Sequence, residues 1–291
     1  MDPGPREAEE AAIRILDKSP SLLDLNRLGF GERQLAAFRQ AIRDPYGLLL
    51  VTGPTGSGKS TTLYAALNEV RSPSKNILTI EDPVEYRLEG VNQVQIKPGI
   101  GLTFAAGLRA FMRQDPDILM VGETRDLETA EICVRASLTG HLVFSTLHTN
   151  DAPSVVTRLV DIGIAPYLLS STISLVVAQR LLRKLCDRCK EAYEPIQQVR
   201  EQFKLQEDLL YRPKGCEECT NTGYKGRFGV YEVMALDREI RDTIATGAPA
   251  HVLKDTAVRC GMSTLWDEGL MKVKIGMTGL EELEGVVALD R

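Results

Sequence analysis

The chain has 291 residues, 43% hydrophobic and 26% charged, with 35 Lys and Arg against 40 Asp and Glu for a formal net charge of −5. These near-average fractions exclude a collagen-like or disordered chain, and the length suffices for about two domains. An acidic balance argues against a protein whose main work is gripping a phosphodiester backbone, so no nucleic-acid partner is expected.

Residues 1–20 are acidic and bounded by prolines, with neither the basic start nor the apolar stretch of a signal peptide. With apolar runs far too short to span a bilayer, a cytoplasmic location is expected. Residues 12–16 alternate as a strand would, and 22–43 read as mostly helical, with Leu35, Phe38 and Ile42 on one face. Four short apolar runs follow, at 48–51, 77–80, 118–121 and 142–145. Continuous rather than alternating runs are what a parallel sheet covered on both faces requires, so the fold class is α/β. Between them, 59–70 has helical spacing. Asp126 caps a helix that stops near Gly140, and Asp151 caps another that stops near Gly163. Pro166 opens a fourth helix, expected to run to about Leu185. Beyond Leu185 the chain turns polar and Gly-rich. After Tyr231 helical spacing returns, with Leu236, Ile240 and Ile244. The expected parts are a linker or domain remnant at 1–20, a core at 21–184, a cysteine-bearing stretch at 185–231 and a helical end at 232–291.

Gly53-Pro54-Thr55-Gly56-Ser57-Gly58-Lys59-Ser60 satisfies GxxxxGK[ST] at every fixed position, after an apolar strand and before a helix. Glycines let backbone N–H groups turn inward around phosphate oxygens, and the helix N-terminus adds a positive dipole end. Lys59 is expected at the β- and γ-phosphates, the Ser60 hydroxyl on Mg²⁺, and Thr61 beside them. A Gly-rich turn without a ligand is the bland alternative. The residues point to a nucleoside triphosphate site.

Ligands of open parallel sheets bind outside the carboxyl ends of the strands. There the later strands end in Glu81-Asp82-Pro83-Val84-Glu85, in Gly122-Glu123 and in Thr146-Leu147-His148. Carboxylates in such positions can hold Mg²⁺ or orient the attacking water. They can equally cap helices, and a lone His can be a packing residue.

Cys186-x2-Cys189 and Cys216-x2-Cys219 enclose 26 residues. Paired thiols at this spacing suit a closed tetrahedral Zn²⁺ site of structural type, with a disulfide or bare thiols as the alternative. Cys133 and Cys260 are expected to be packing residues. Arg180, Arg183, Lys184, Arg188 and Lys190 form a basic stretch that motivates a rival assignment, a nucleic-acid translocase. No interleaved aromatics offer stacking platforms there.

Four segments in register, GPTGSGKSTTL (53–63), ILTIEDPVEY (77–86), LMVGETRD (119–126) and STLHTN (145–150), resemble the hexameric secretion ATPases of type II secretion and type IV pilus assembly. The resemblance implies a RecA-like P-loop NTPase core with a four-cysteine zinc subdomain and a helical C-terminal subdomain. It implies ATP hydrolysis with Mg²⁺, Glu123 as the Walker B carboxylate, Glu85 as catalytic glutamate supported by Glu81, and His148 as γ-phosphate sensor. It further assigns Arg109 and Arg113 to inter-subunit or nucleotide contacts. The implied partners are further copies of the chain, an inner-membrane platform protein and a cytoplasmic membrane-ring component, at the inner-membrane periphery. Members of the family normally carry amino-terminal domains ahead of the core. The chain therefore reads as a fragment, which makes a nucleotide-binding scaffold with little turnover a further alternative.

Overall fold

The computed structural model describes residues 23–207 and 209–288; the strand expected at 12–16 lies outside them. A short 3-10 turn, Leu25–Arg27, precedes helix α1 (Glu32–Arg43). The helical expectation for 22–43 is interrupted at Gly29, whose backbone is left-handed at φ +103°. The expected strands all form: β1 (Gly47–Thr52), β2 (Ile77–Glu81), β4 (Ile118–Val121) and β5 (Leu142–Leu147), with a polar strand β3 (Asn92–Gln95) added beyond β2.

Helix α2 (Lys59–Val70) follows the glycine-bearing loop 53–58, and α3 (Phe104–Phe111) precedes β4. Helix α4 (Leu127–Leu138) starts at Asp126, whose carboxylate accepts the Thr129 N–H. Helix α5 (Pro153–Ile162) has Ala152 at its N-cap, and the carboxylate of Asp151, one residue earlier than that cap, accepts the Ser154 N–H at 2.9 Å.

The main correction concerns 166–185. Helix α6 is only Pro166–Thr172, and the chain then runs as a 13-residue strand, β6 (Ile173–Leu185). The run Ile173-Ser174-Leu175-Val176-Val177-Ala178 carries β-branched residues that lose χ1 freedom in a helix and pack well on a pleated surface. β6 pairs parallel with β1 and antiparallel with β9 (Tyr224–Ala235), so the C-terminal helices expected after Tyr231 start only after Ala235. The sheet order is β3-β2-β4-β5-β1-β6-β9, parallel except at the last pair.

Side chains of β1 alternate between two cores. Leu48 and Leu50 join the layer formed with α3 to α6 and the C-terminal helices; Leu49 and Val51 join the layer under α1 and α2. Both faces are covered, which is why the strand carries no polar alternation.

Between β6 and β9 the chain forms a small antiparallel pair, β7 (Glu191–Tyr193) and β8 (Leu210–Arg212), with α7 (Gln197–Gln202) between them. Four helices close the fold: α8 (Arg238–Ala245), α9 (Ala250–Arg259), α10 (Leu265–Lys274) and α11 (Leu280–Val286). Ile240 and Ile244 are buried as their spacing predicts. Cys133 is buried, whereas Cys260 is exposed at the end of α9 and does not pack.

The outer edge of β9 is covered by the segment before α1. The Leu28 carbonyl accepts from the Gly229 N–H and the Tyr231 hydroxyl, Gln34 donates to the Tyr231 carbonyl, and the Phe30 ring stacks on Tyr231 at 3.7 Å. Gly29 fits there because a Cβ would lie 2.9 Å from the Gly229 carbonyl oxygen. No helix among the described residues is long and apolar enough to cross a membrane.

Candidate active site and cysteine cluster

The loop 53–60 leaves the end of β1 through three left-handed glycines, Gly53, Gly56 and Gly58, at φ +146°, +80° and +90°. L-residues with a side chain rarely adopt these values, so the glycines of the motif are conformational requirements here. Lys59 at the head of α2 is mostly buried and donates from Nζ to the carbonyls of Gly53 and Pro54 at 2.8 and 3.1 Å. Burial lowers its pKa, and the nearby Glu123 carboxylate opposes that shift. Ser57 Oγ is buried with no hydrogen-bond partner among the described residues. A loop with an orphan hydroxyl and a charged ammonium satisfied only by its own carbonyls fits an anion, which would supply the missing partners.

A cleft of about 650 Å³ opens over this loop. It is lined by Lys59 and Ser60 from α2, by Glu81 at the end of β2 with Asp82 and Glu85 after it, by Glu123 after β4 and by His148 after β5. The four strand ends thus meet at one place, as the sheet order β2-β4-β5-β1 demands. Hydrogen bonds fix the neighbouring ends: Thr124 N–H donates to the Thr146 carbonyl, Thr146 Oγ1 to the Gly122 carbonyl, and the Thr149 N–H to Thr52 Oγ1. A Glu123 oxygen lies 2.8 Å from His148 Nε2, and Glu123 accepts from Arg125 Nε.

The two acids of the 81–85 segment have different surroundings. Glu81 is 3% exposed, and its oxygens accept from the Tyr64 hydroxyl, Thr79 Oγ1 and Gln93 Nε2. Tyr64 in turn accepts the Glu85 N–H at 3.3 Å. Glu81 is therefore engaged in holding the segment, while Glu85 is half-buried at the cleft wall.

Arg109 and Arg113 are not brought to the cleft of their own chain. Arg109 on α3 pairs with Glu128 at the surface, and Arg113, beyond the helix end, donates to the Arg109 carbonyl. Arg125 and Arg227 line the cleft instead, and sequence reasoning passed over both. Arg227 sits on β9, in the Gly-rich stretch where no strand was expected. Gln179 was missed with the strand that carries it, although polar residues inside an apolar run were a signal, and Arg180 was read only as part of the basic stretch. The basic stretch 180–190 is neutralised locally: Arg183 pairs with Glu282, Lys184 and Lys190 with Asp187, and Arg188 with Glu218. Arg180 is buried and donates to the carbonyls of Gln179 and Asn150.

The four expected cysteines converge where β6 ends and β9 begins. All their sulfurs lie within 4.8 Å of one another, with contacts of 3.9 Å (Cys186–Cys216), 3.7 Å (Cys189–Cys219) and 3.7 Å (Cys216–Cys219). A tetrahedral Zn²⁺ with Zn–S of about 2.3 Å requires sulfur–sulfur edges of about 3.8 Å, and a disulfide about 2.05 Å. The donor set and spacing fit the metal. Burial raises the Cys219 thiol, but N–H groups of Cys216 and Gly223, each 3.2 Å from its sulfur, outweigh burial together with the neighbouring thiols and bring it down to about 6. Burial pushes Cys189 up to about 11.

The family model described as "Type II/IV secretion system protein" matches residues 4–285. The chain belongs to that family. Among its relatives are the type IV pilus assembly ATPase PilB of Myxococcus xanthus and the type II secretion system ATPase E of Vibrio cholerae. The first is 50% identical over 97% of this chain and 51% of its own length; the second is 50% identical over 94% and 55%. The chain thus spans about half the length of these relatives. The solved structure of the pilus retraction motor PilT with bound ADP is similar at a TM-score of 0.68 and 32% identity, covering 90% of this chain and 66% of the other. The Legionella pneumophila ATPase DotB shares the fold, with a TM-score of 0.65 at 24% identity.

Proposed function

We propose that this chain is the ATP-hydrolysing part of a motor of type II secretion or type IV pilus assembly. The observation that carries the proposal is the cleft in which Lys59 and Ser60 share one space with Glu85, Glu123 and His148. In this reading loop amides and Lys59 hold the phosphates of ATP, and Ser60 with Glu123 would hold Mg²⁺, which supplies charge neutralisation between phosphate oxygens. Glu85 orients and deprotonates water for attack on the γ-phosphate; Glu81, through Tyr64, fixes where Glu85 begins. His148, its Nε2 beside the Glu123 carboxylate, reads the γ-phosphate. Products are ADP and phosphate.

The core is RecA-like in this reading, the sulfur tetrad is a structural Zn²⁺ site stapling β6 to β9, and the helices after β9 form a C-terminal subdomain. Arg109 and Arg113, exposed or near the surface rather than in the cleft, act on the nucleotide of a neighbouring copy in a six-membered ring. The ring turns a membrane platform protein from the cytoplasmic side, beside a cytoplasmic membrane-ring component. A scaffold with little turnover is the second reading, favoured by the absence of both arginines from the chain's own cleft. Local neutralisation of the basic stretch disfavours the nucleic-acid translocase.

Phosphate release from Mg·ATP by the chain, alone and fused to a ring-forming hexamer, tests the proposal. Turnover abolished by Lys59→Ala supports the motor. Binding without turnover in both formats supports the scaffold, and stimulation by single-stranded DNA supports the translocase.

A further inference from the structure

Gln179 lies within β6, next to the strand that feeds the phosphate-binding loop, and is 2% exposed. Its carboxamide has two partners. Nε2 donates to the Ser57 carbonyl at 2.7 Å, and Oε1 accepts from the Thr62 hydroxyl at 2.8 Å. The orientation is forced, because the Ser57 carbonyl can only accept. The main chain of Gln179 meets the other end of the loop, where a Cβ on Gly53 would fall 2.5 Å from the Gln179 carbonyl oxygen, while its side chain meets Gly58, where a Cβ would fall 2.7 Å from Nε2. Both ends of the loop rest on one residue.

A trans peptide plane carries its C=O and N–H on opposite sides. A Ser57 carbonyl held on Gln179 therefore turns the Gly58 N–H away from β6. Gly58 is a cleft-lining residue with no side chain and a left-handed backbone, so little else in the residue itself prevents that peptide from rotating. The Thr62 bond fixes the carboxamide from the α2 side and leaves Nε2 aimed at the loop.

We infer that Gln179 is a positioning residue for phosphate binding: by holding the Ser57 carbonyl it aims the Gly58 amide at the nucleotide phosphates. The inference rests on the assignment of the cleft to ATP and adds a residue outside the loop motif to its binding geometry. The bond is worth more than its length suggests, because losing it both leaves a buried carbonyl unpaired and frees the donor that must be preorganised.

Three measurements on the full chain test this. Gln179→Met keeps the side-chain length and adds no charge but removes both bonds. Thr62→Val removes only the second. Affinity for Mg·ADP, followed with a fluorescent analogue, is expected to fall about tenfold or more in Gln179→Met and to stay within about threefold in Thr62→Val. Thermal unfolding separates positioning from scaffolding: the two variants should unfold within a few degrees of each other despite the difference in affinity. With ¹⁵N-glycine labelling, the Gly58 amide signal should respond to Mg·ADP in the parent and in Thr62→Val, and not in Gln179→Met. Parent-like affinity with an unchanged Gly58 response in Gln179→Met overturns the inference and leaves the ATP assignment standing. A parent that fails to bind Mg·ADP brings down both. Should Gln179→Met not fold, Gln179→Leu replaces it under the same criteria.

Discussion

Nε2 of His148 lies 2.8 Å from Oε1 of Glu123, although the two belong to the ends of different strands. The neighbours β4 and β5 run in register from Ile118↔Leu142 to Val121↔Ser145, so the residues just past them come out side by side. Each holds the other in place. The changes Glu123→Gln and His148→Ala should therefore be non-additive in turnover, with a coupling of about 0.5–3 kcal/mol in a double-mutant cycle. Additive losses would show that the pair is only a surface contact. Glu123→Gln should in addition raise the Mg²⁺ concentration needed for half-maximal activity.

Lys59→Ala should abolish productive ATP binding, since the loop then has no mobile charge to bring to the phosphates. Glu85→Gln should bind ATP like the parent and lose about 10²–10⁴-fold in turnover, the usual range for a positioned base. Equilibrium binding and phosphate release on the same preparations separate the two. Indistinguishable binding by these variants would refute the division of labour.

One Zn²⁺ per chain is expected by elemental analysis of protein purified without chelator. Cys186→Ser should lower the thermal midpoint, because the Cys186 N–H also bonds the Gly223 carbonyl and the cluster closes the open end of the β6–β9 pair. Structural zinc in small modules contributes on the order of 10 kcal/mol to its own unit. Metal-free protein of unchanged stability would contradict this.

Glu232 gives a pH signature. It is 1% exposed on β9, where its two oxygens accept the N–H groups of Ala152 and Leu265. Burial raises its pKa to about 7, with Asp151 adding to the rise and the two N–H bonds and Lys254 opposing it. The folded state thus holds a proton that the unfolded chain releases near 4.5, so this residue's contribution is most favourable at low pH and declines as pH rises through about 7. Between pH 5 and 8 the decline should be on the order of 2–3 kcal/mol. Denaturant titrations should show a shallower pH slope in Glu232→Gln than in the parent; equal slopes would contradict the assignment.

If Arg109 and Arg113 act across subunits, activity per chain should rise with protein concentration. Mixed Arg113→Ala and Lys59→Ala subunits should then differ from either alone, since arginines supplied in trans accelerate phosphoryl transfer by about 10³-fold or more. A flat specific activity over a wide dilution series would rule this out.

Strands β1, β2, β4 and β5 were legible because each is an unbroken apolar run between turn residues, whereas the polar β3, parallel to β2, was not. The same rule failed at 173–185. There an apolar run longer than a usual strand follows a helix-opening proline, and only pairing with β1 and β9 decides its conformation. The misread strand hid Gln179 and the buried setting of Arg180. Glu123 and His148 were visible since they end recognised strands. Arg227 was not, since it reaches the cleft from β9 through antiparallel pairing that no local pattern announces. Local spacing reports a residue's own element, whereas cleft composition depends on which elements become neighbours.

The sheet also ends in two guarded edges. On one side the segment 28–34 occupies the Gly229–Tyr231 part of β9; on the other, β3 is four residues long and reads Asn-Gln-Val-Gln. Neither offers a long, bare apolar ladder on which another chain could lengthen the sheet. If copies of this molecule assemble as proposed, side-chain faces, which can be remade as a motor turns, are better suited to join them than backbone pairing, which would lock neighbours together. Loosening the cover, for instance by a bulky residue at Gly29, should show itself first as precipitation of otherwise nucleotide-competent protein.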